Sequence, residues 1–219
     1  LGMGGLLLAG TLVAVHLVAP AVTPLRVAYH LLGAAYNWPL LPGRVRLKTV
    51  YLAKNLASAA GFMITLFGYP LAQLHATGGQ WAAGFGPLQL AVAATFFFLF
   101  EVSWEIVYDM RDVPGDKLAG VHTLAVVHGV DGAARVADGL LLGSAMVLLI
   151  GYFWLALPWR VVVMVVAPAL QWVLYRRWLK RGLTSAHVVA LTWTGAGLLI
   201  VYHLWIALNL PGVRAAPWS

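Results

Sequence analysis

Five carboxylates fall within sixteen residues, at Glu101, Glu105, Asp109, Asp112 and Asp116; with Asp131 and Asp138 they are all seven acidic side chains of the chain. On a helix, spacings of four, four and three put the first four on one face. Like charges at such spacings repel by about 0.2–0.5 kcal/mol per pair in water and by more in a low dielectric. A bound cation is the simplest reason to keep a row of them. Pro114 and Gly115 are expected to stop the helix here, so that Asp112 and Asp116 flank its end and are able to converge. Oxygen ligands without Cys or His favour Mg2+ over zinc or copper. The plain alternative is a solvated loop, where Asp, Gly and Pro collect in any case.

The elements that must carry these groups are apolar. The chain has 219 residues, 62% hydrophobic and 10% charged, with mean hydropathy +0.85. A soluble domain has about a quarter of its residues charged, so the composition predicts an all-α, polytopic transmembrane helix bundle. It has no cysteine, which excludes disulfides and thiolate metal sites. Apolar runs of about 17–25 residues can span a bilayer. Seven are predicted: 2–18, a short one at 22–36, then 50–72, 81–108, 136–157, 161–175 and 187–208. A polar, Pro-rich connection covers 37–48, and 73–80 is expected to be a loop. The first run lacks a basic start and a small-residue cleavage site, so it reads as a span and not a signal peptide. Because it begins at Leu1 inside an apolar run, the natural N-terminus is expected to lie upstream. No linker or soluble segment is visible, and 1–219 reads as a single domain.

Net charge +7 would suggest nucleic acid in a soluble protein, but in a membrane protein Lys and Arg report orientation. Seven spans put three connections on one face. They hold Arg44, Arg46, Lys48 and Lys54; Arg111, Lys117 and Arg135; and Arg176, Arg177, Lys180 and Arg181. That is eleven of fourteen basic residues. The positive-inside rule places this face, and the acidic segment with it, in the cytoplasm. The expected location is integral to the membrane, the plasma membrane of a bacterium or archaeon, with no nucleic-acid partner.

Carboxylates with magnesium, basic neighbours and an apolar bundle behind them suit a phosphorylated lipid. Together they point to a polyprenyl diphosphate donor, whose allylic C–O bond ionises while diphosphate leaves on the metal. An acceptor of unspecified identity then captures the prenyl group. Fixed cations act most strongly where leaving-group charge develops.

The stretch Glu105 to Gly129, EIVYDMRDVPGDKLAGVHTLAVVHG, resembles the second aspartate-rich motif of the UbiA-type membrane prenyltransferases, of the form E…DxxDxxGD(R/K)xAGxxTLxxxxG. Asp109, Asp112, Gly115, Asp116, Lys117, Ala119, Gly120, Thr123, Leu124 and Gly129 match. Tyr36-Asn37-Trp38-Pro39 with Arg46-Leu47-Lys48 and Lys54-Asn55 resembles, more loosely, the family's Tyr/Pro/basic connection. The resemblance implies a nine-helix fold, of which seven spans are present here. The family's first motif, NDxxDxxxD, has no counterpart, and it is expected upstream with the first two helices. The resemblance further implies that Asp112 and Asp116 carry one Mg2+ with Asp109 near it. It favours Lys48 and Lys54 for diphosphate, with Arg46 beside them, and brings in Tyr36 and Asn37 near diphosphate or acceptor.

For each residue a plainer role competes. The basic residues can be the orientation signal alone, and Tyr36 and Asn37 an interfacial anchor and a helix cap. Arg111 and Lys117 flank the aspartates, and one of them can pair with a carboxylate in place of substrate. Glu105 is a candidate to tune the site or act as a base, or else to pair with a neighbouring helix. Phe96, Phe97, Phe98 and Phe100 suit packing or a prenyl channel. Ala190, Gly195 and Gly197 suit helix packing. Two other classes compete as functions: an ion-coupled seven-helix transporter and a catalytically inert membrane protein of this fold. A transporter would more often show charges through several spans and an internal repeat.

Overall fold

A computed structural model of the chain describes residues 2–81, 85–155 and 157–210. It is helical throughout; among the described residues the sole β-type pairing is an isolated bridge between Leu41 and Val45. The protein is a helical membrane protein. Among the described residues, four helices are long and apolar enough to cross a membrane: Ala53–Ala76, Pro87–Leu118, Leu124–Leu155 and Ser185–Ala207. The chain divides into two compact units, 1–81 and 82–219.

The first unit holds α1 (Gly2–Val18), α2 (Thr23–Asn37) and α3 (Ala53–Ala76). Pro20 and Pro24 punctuate the turn between α1 and α2, and each occupies a first-turn position where a missing N–H costs nothing. α2 and α3 approach through glycine. A Cβ at Gly61 would lie 3.4 Å from the Tyr29 ring, and one at Gly68 would lie 3.2 Å from Leu25. α3 is not uniform, because Ile64–Gly68 forms a π-helical turn. The expected loop at 73–80 begins later than its polar residues suggested, since the helix continues through Ala76. Between α2 and α3 the connection is irregular. Gly43 and Arg44 take left-handed φ values of 76° and 57°, which turns the chain back so that Leu41 meets Val45.

The second unit holds α4 (Pro87–Leu118), α5 (Leu124–Leu155), α6 (Val166–Leu179) and α7 (Ser185–Ala207). One helical turn, Trp159–Val162, and a 3-10 turn, Val163–Val165, lead into α6. α4 and α5 form an antiparallel hairpin of two 32-residue helices, about 48 Å each at 1.5 Å per residue. Their seam is built of small residues. Ala133, Ala134 and Ala137 are fully buried, and a Cβ on Gly151 would lie 2.6 Å from Val92. Where lipid removes most of the hydrophobic drive between helices, such close backbone approach is what holds them. Ile106, Val107, Met110, Leu141, Tyr175 and Leu191 complete the main core of this unit. Gly195 supports the packing role expected of it, lying 3.1 Å from Trp104 when a Cβ is added; Gly197 meets nothing within 4 Å, and Ala190 is exposed.

Two further boundaries differ from expectation where they flank the acidic segment. α4 does not stop at Pro114 but runs on to Leu118. Pro114 removes one N–H, toward the Met110 carbonyl, near the end of a helix whose flank packs through Val113. The true stop is Gly120. It takes φ 65°, its N–H donates to the Lys117 carbonyl at 3.3 Å, and Val121 N–H donates to the Asp116 carbonyl at 2.8 Å. That pair of bonds is the Schellman termination, which needs a left-handed residue and is served best by glycine. α5 begins at Leu124, well before the expected 136, because Thr123 caps it. The Thr123 hydroxyl accepts from Val126 N–H at 3.3 Å. A break at Gly129 (φ 73°, ψ 165°) separates this first turn from the rest.

Candidate active site

The carboxylates line α4 from its middle, at Glu101, to its last turn, at Asp116. Above them an aromatic ladder runs at intervals of four: Phe96, Phe100, Trp104 and Tyr108, with successive centroids 5.8, 5.7 and 6.4 Å apart. Phe96 is wholly buried, so at least this ring belongs to packing and not to a channel wall. Tyr108 fixes the lower end by a hydrogen bond to Thr192 of α7. Ser103 accepts from Gln171 of α6 at 3.3 Å and donates to the Phe100 carbonyl at 2.5 Å. The helix bearing the acids is thus held by both of its later neighbours.

The acids differ in setting. Asp109 is 1% exposed, set between Ile106, Val107 and Met110 on the core side of α4. Glu105 is half-buried and, like Asp109 and Asp116, has an interaction partner of its own. Asp112 and Asp116, one turn apart, are partly exposed. The Asp112 carboxylate is gripped at both oxygens by Arg111, whose Nε and Nη2 each donate at 2.6 Å. Arg111 is therefore the flanking base that pairs with a carboxylate. Its guanidinium also sits 5.4 Å from the Tyr108 ring centroid. Lys117 stands exposed at the helix end.

Asp138 was given no role from the sequence, yet it is bonded by two side chains of α6. Both its oxygens meet Arg176 of α6, one of them with Arg176 Nε at 3.1 Å, and the Tyr175 hydroxyl donates to it as well. Tyr175 is fully buried and also reaches the Ala134 carbonyl at 3.3 Å. The signal was an acid at the head of an apolar run; Arg135 stands one helical turn before it, but the partner it bonds lies 38 residues on. Such a residue must find one across a helix pair or be expensive.

In the first unit the structure brings together Lys48 and Asn37, with Lys48 Nζ donating to Asn37 Oδ1 at 3.4 Å. Asn37 in turn donates to the Gly33 carbonyl at 3.2 Å, which holds it at the end of α2. Arg46 is exposed; Lys54 and Tyr36 are half-buried and each has a partner.

The sequence model of the UbiA prenyltransferase family matches residues 1–195. The chain belongs to that family. No curated protein and no solved structure matches the chain. UbiA proteins are prenyltransferases that work in membranes, and the four long apolar helices make this chain an integral membrane protein. The family generally uses Mg2+. Among the described residues no three His, Asp or Glu side chains converge on a point where a metal would sit. The residues nonetheless suit that ion. Mg2+ typically takes one or two carboxylates and fills its shell with water and phosphate oxygens, and Asp112 and Asp116 are two accessible oxygen donors in a chain without thiols.

Proposed function

We propose that the chain transfers a prenyl group from a polyprenyl diphosphate to an aromatic or other lipid-pathway acceptor within the membrane, with Mg2+ as cofactor. The observation that carries this reading is the pair of accessible aspartates on successive turns of a long apolar helix, inside the stretch that resembles the family's aspartate-rich motif. Asp112 and Asp116 are the residues that would hold the ion. When bound, Mg2+ supplies charge neutralisation for the departing diphosphate. Asp109, from its buried position, is proposed to set the local field beside the ion. Glu105, one turn further into the membrane, tunes that field or takes a proton from the acceptor.

Lys117 is proposed to meet phosphate at the helix end. Lys48 and Arg46, from the α2–α3 connection, and Lys54, in the first turn of α3, are proposed to meet phosphate, each a cation whose value rises as leaving-group charge develops. Asn37, already held between Gly33 and Lys48, is proposed to aim that lysine, with Tyr36 beside it. The basic connections support a cytoplasmic face for this chemistry.

The test is turnover of the reconstituted protein with a panel of prenyl diphosphates and acceptors, with and without Mg2+. Asp112→Ala and Asp116→Ala are each expected to lower Mg2+-dependent transfer by about a hundredfold or more. Unchanged turnover in both removes the metal assignment.

A further inference from the structure

We propose that Arg111 is a displaceable counter-cation: its guanidinium occupies the Asp112 carboxylate until a divalent ion and a diphosphate arrive together, and then gives it up. The inference rests on reading Asp112 as a metal ligand and concerns how that ligand is kept ready. Three observations support it. Both Asp112 oxygens are taken by the Arg111 fork at 2.6 Å, so an ion reaching this carboxylate has to compete with a charge already there. The pair is sequence-adjacent, and neighbours on a helix do not face each other. It therefore depends on side-chain torsions alone and can open without moving a helix. Finally, the pair is partly open to solvent, with side-chain exposures of 23% for Arg111 and 41% for Asp112. The Tyr108 ring, tied to α7 through Thr192, lies within cation–π range and gives the guanidinium a second resting place.

The energetics favour exchange over permanence. A partly exposed ion pair is weak, whereas Asp112 with no counter-charge beside an apolar bundle would be costly. Arg111 thus lowers that cost while remaining weak enough to be outcompeted. An ion alone displaces a cation and gains little. An ion with diphosphate also offers the guanidinium a new bidentate acceptor. Ion and diphosphate therefore strengthen each other's binding, and the coupling is reciprocal.

The test uses the detergent-solubilised full chain and Mn2+ as the probe. Equilibrium ultrafiltration measures ion retained with the protein, since free Mn2+ and its diphosphate complex pass the filter. In Arg111→Gln, Mn2+ without diphosphate is expected to bind about three- to fivefold more tightly than in the wild type, and the gain from added diphosphate shrinks. Arg111→Lys keeps the charge but loses the fork and falls between the two, which provides a reading should the glutamine variant fold poorly. Affinity for Mn2+ alone that is unchanged or weaker in both variants overturns the proposal, provided Asp112→Asn abolishes retention. Retention that survives Asp112→Asn instead overturns the metal assignment at Asp112, and this inference with it.

Discussion

At the scale of single residues, the stretch from Glu105 to Gly129 divides into two kinds of position. Asp112, Asp116 and Lys117 present charge at the surface. Gly120, Thr123 and Gly129 present nothing; they end one helix, cap the next and break its first turn. Three of the ten matched positions are therefore backbone geometry that keeps the acidic helix end in place. Gly120→Ala forces a Cβ into a left-handed conformation, at a cost of about 1–2 kcal/mol. Gly129 lies at φ 73° and ψ 165°, a region essentially reserved for glycine, and Gly129→Ala is expected to cost about 1–3 kcal/mol. Thermal unfolding of the detergent-solubilised variants checks both; unchanged midpoints would mean that these turns relax without loss. The acidic row was legible because its spacing is local. The Arg111 fork on Asp112 was legible only as a choice between two flanking bases, because rotamers decide it.

At the scale of helices, the apolar runs marked out every helix, since hydropathy over twenty residues is a strong signal. The ends were less legible where a residue's usual meaning was overruled. Pro114 reads as a stop, but a cap six residues later and packing through Val113 carry the helix past it. The contact of α5 with α6 was invisible, because Asp138 and Arg176 are far apart in sequence and only tertiary structure joins them. This contact makes a sharp prediction. Arg176→Met leaves the Asp138 charge partly buried with only Tyr175 to answer it and should lower stability clearly. The double variant Asp138→Leu with Arg176→Met should recover much of the loss, because removing both partners is far cheaper than removing one. Guanidinium or thermal unfolding of the three proteins measures this. A double variant as unstable as the single one would show that the clamp's worth lies in packing and not in charge.

At the scale of the whole molecule, composition settled the class: an integral membrane protein of helices. Not all the runs became helices of spanning length. α2 has 15 residues, about 22 Å at 1.5 Å per residue, short of a hydrocarbon core of about 30 Å; α6 has 14 and reaches about that length only with the helical turns from Trp159 to Val165 that lead into it. The orientation proposed from charge is open to direct test, because the chain has no cysteine. Single cysteines at Arg44 and Lys180 are expected to react with a membrane-impermeant thiol reagent from the cytoplasmic side, and one at Thr77 from the opposite side. Labelling of Thr77→Cys from the cytoplasmic side would reverse the assignment.

The π-helical turn at Ile64–Gly68 has a consequence for chain length. A wide turn lodges one residue more than an ordinary turn holds, while the helix on either side keeps its facing. Losing one codon within 64–68 would let the turn close into regular helix, with Tyr29 still against Gly61 on one side of the seam. The same loss anywhere else in α3 would rotate everything beyond it by about 100°. Of all the positions along α3, this turn is where the gene can most readily change length.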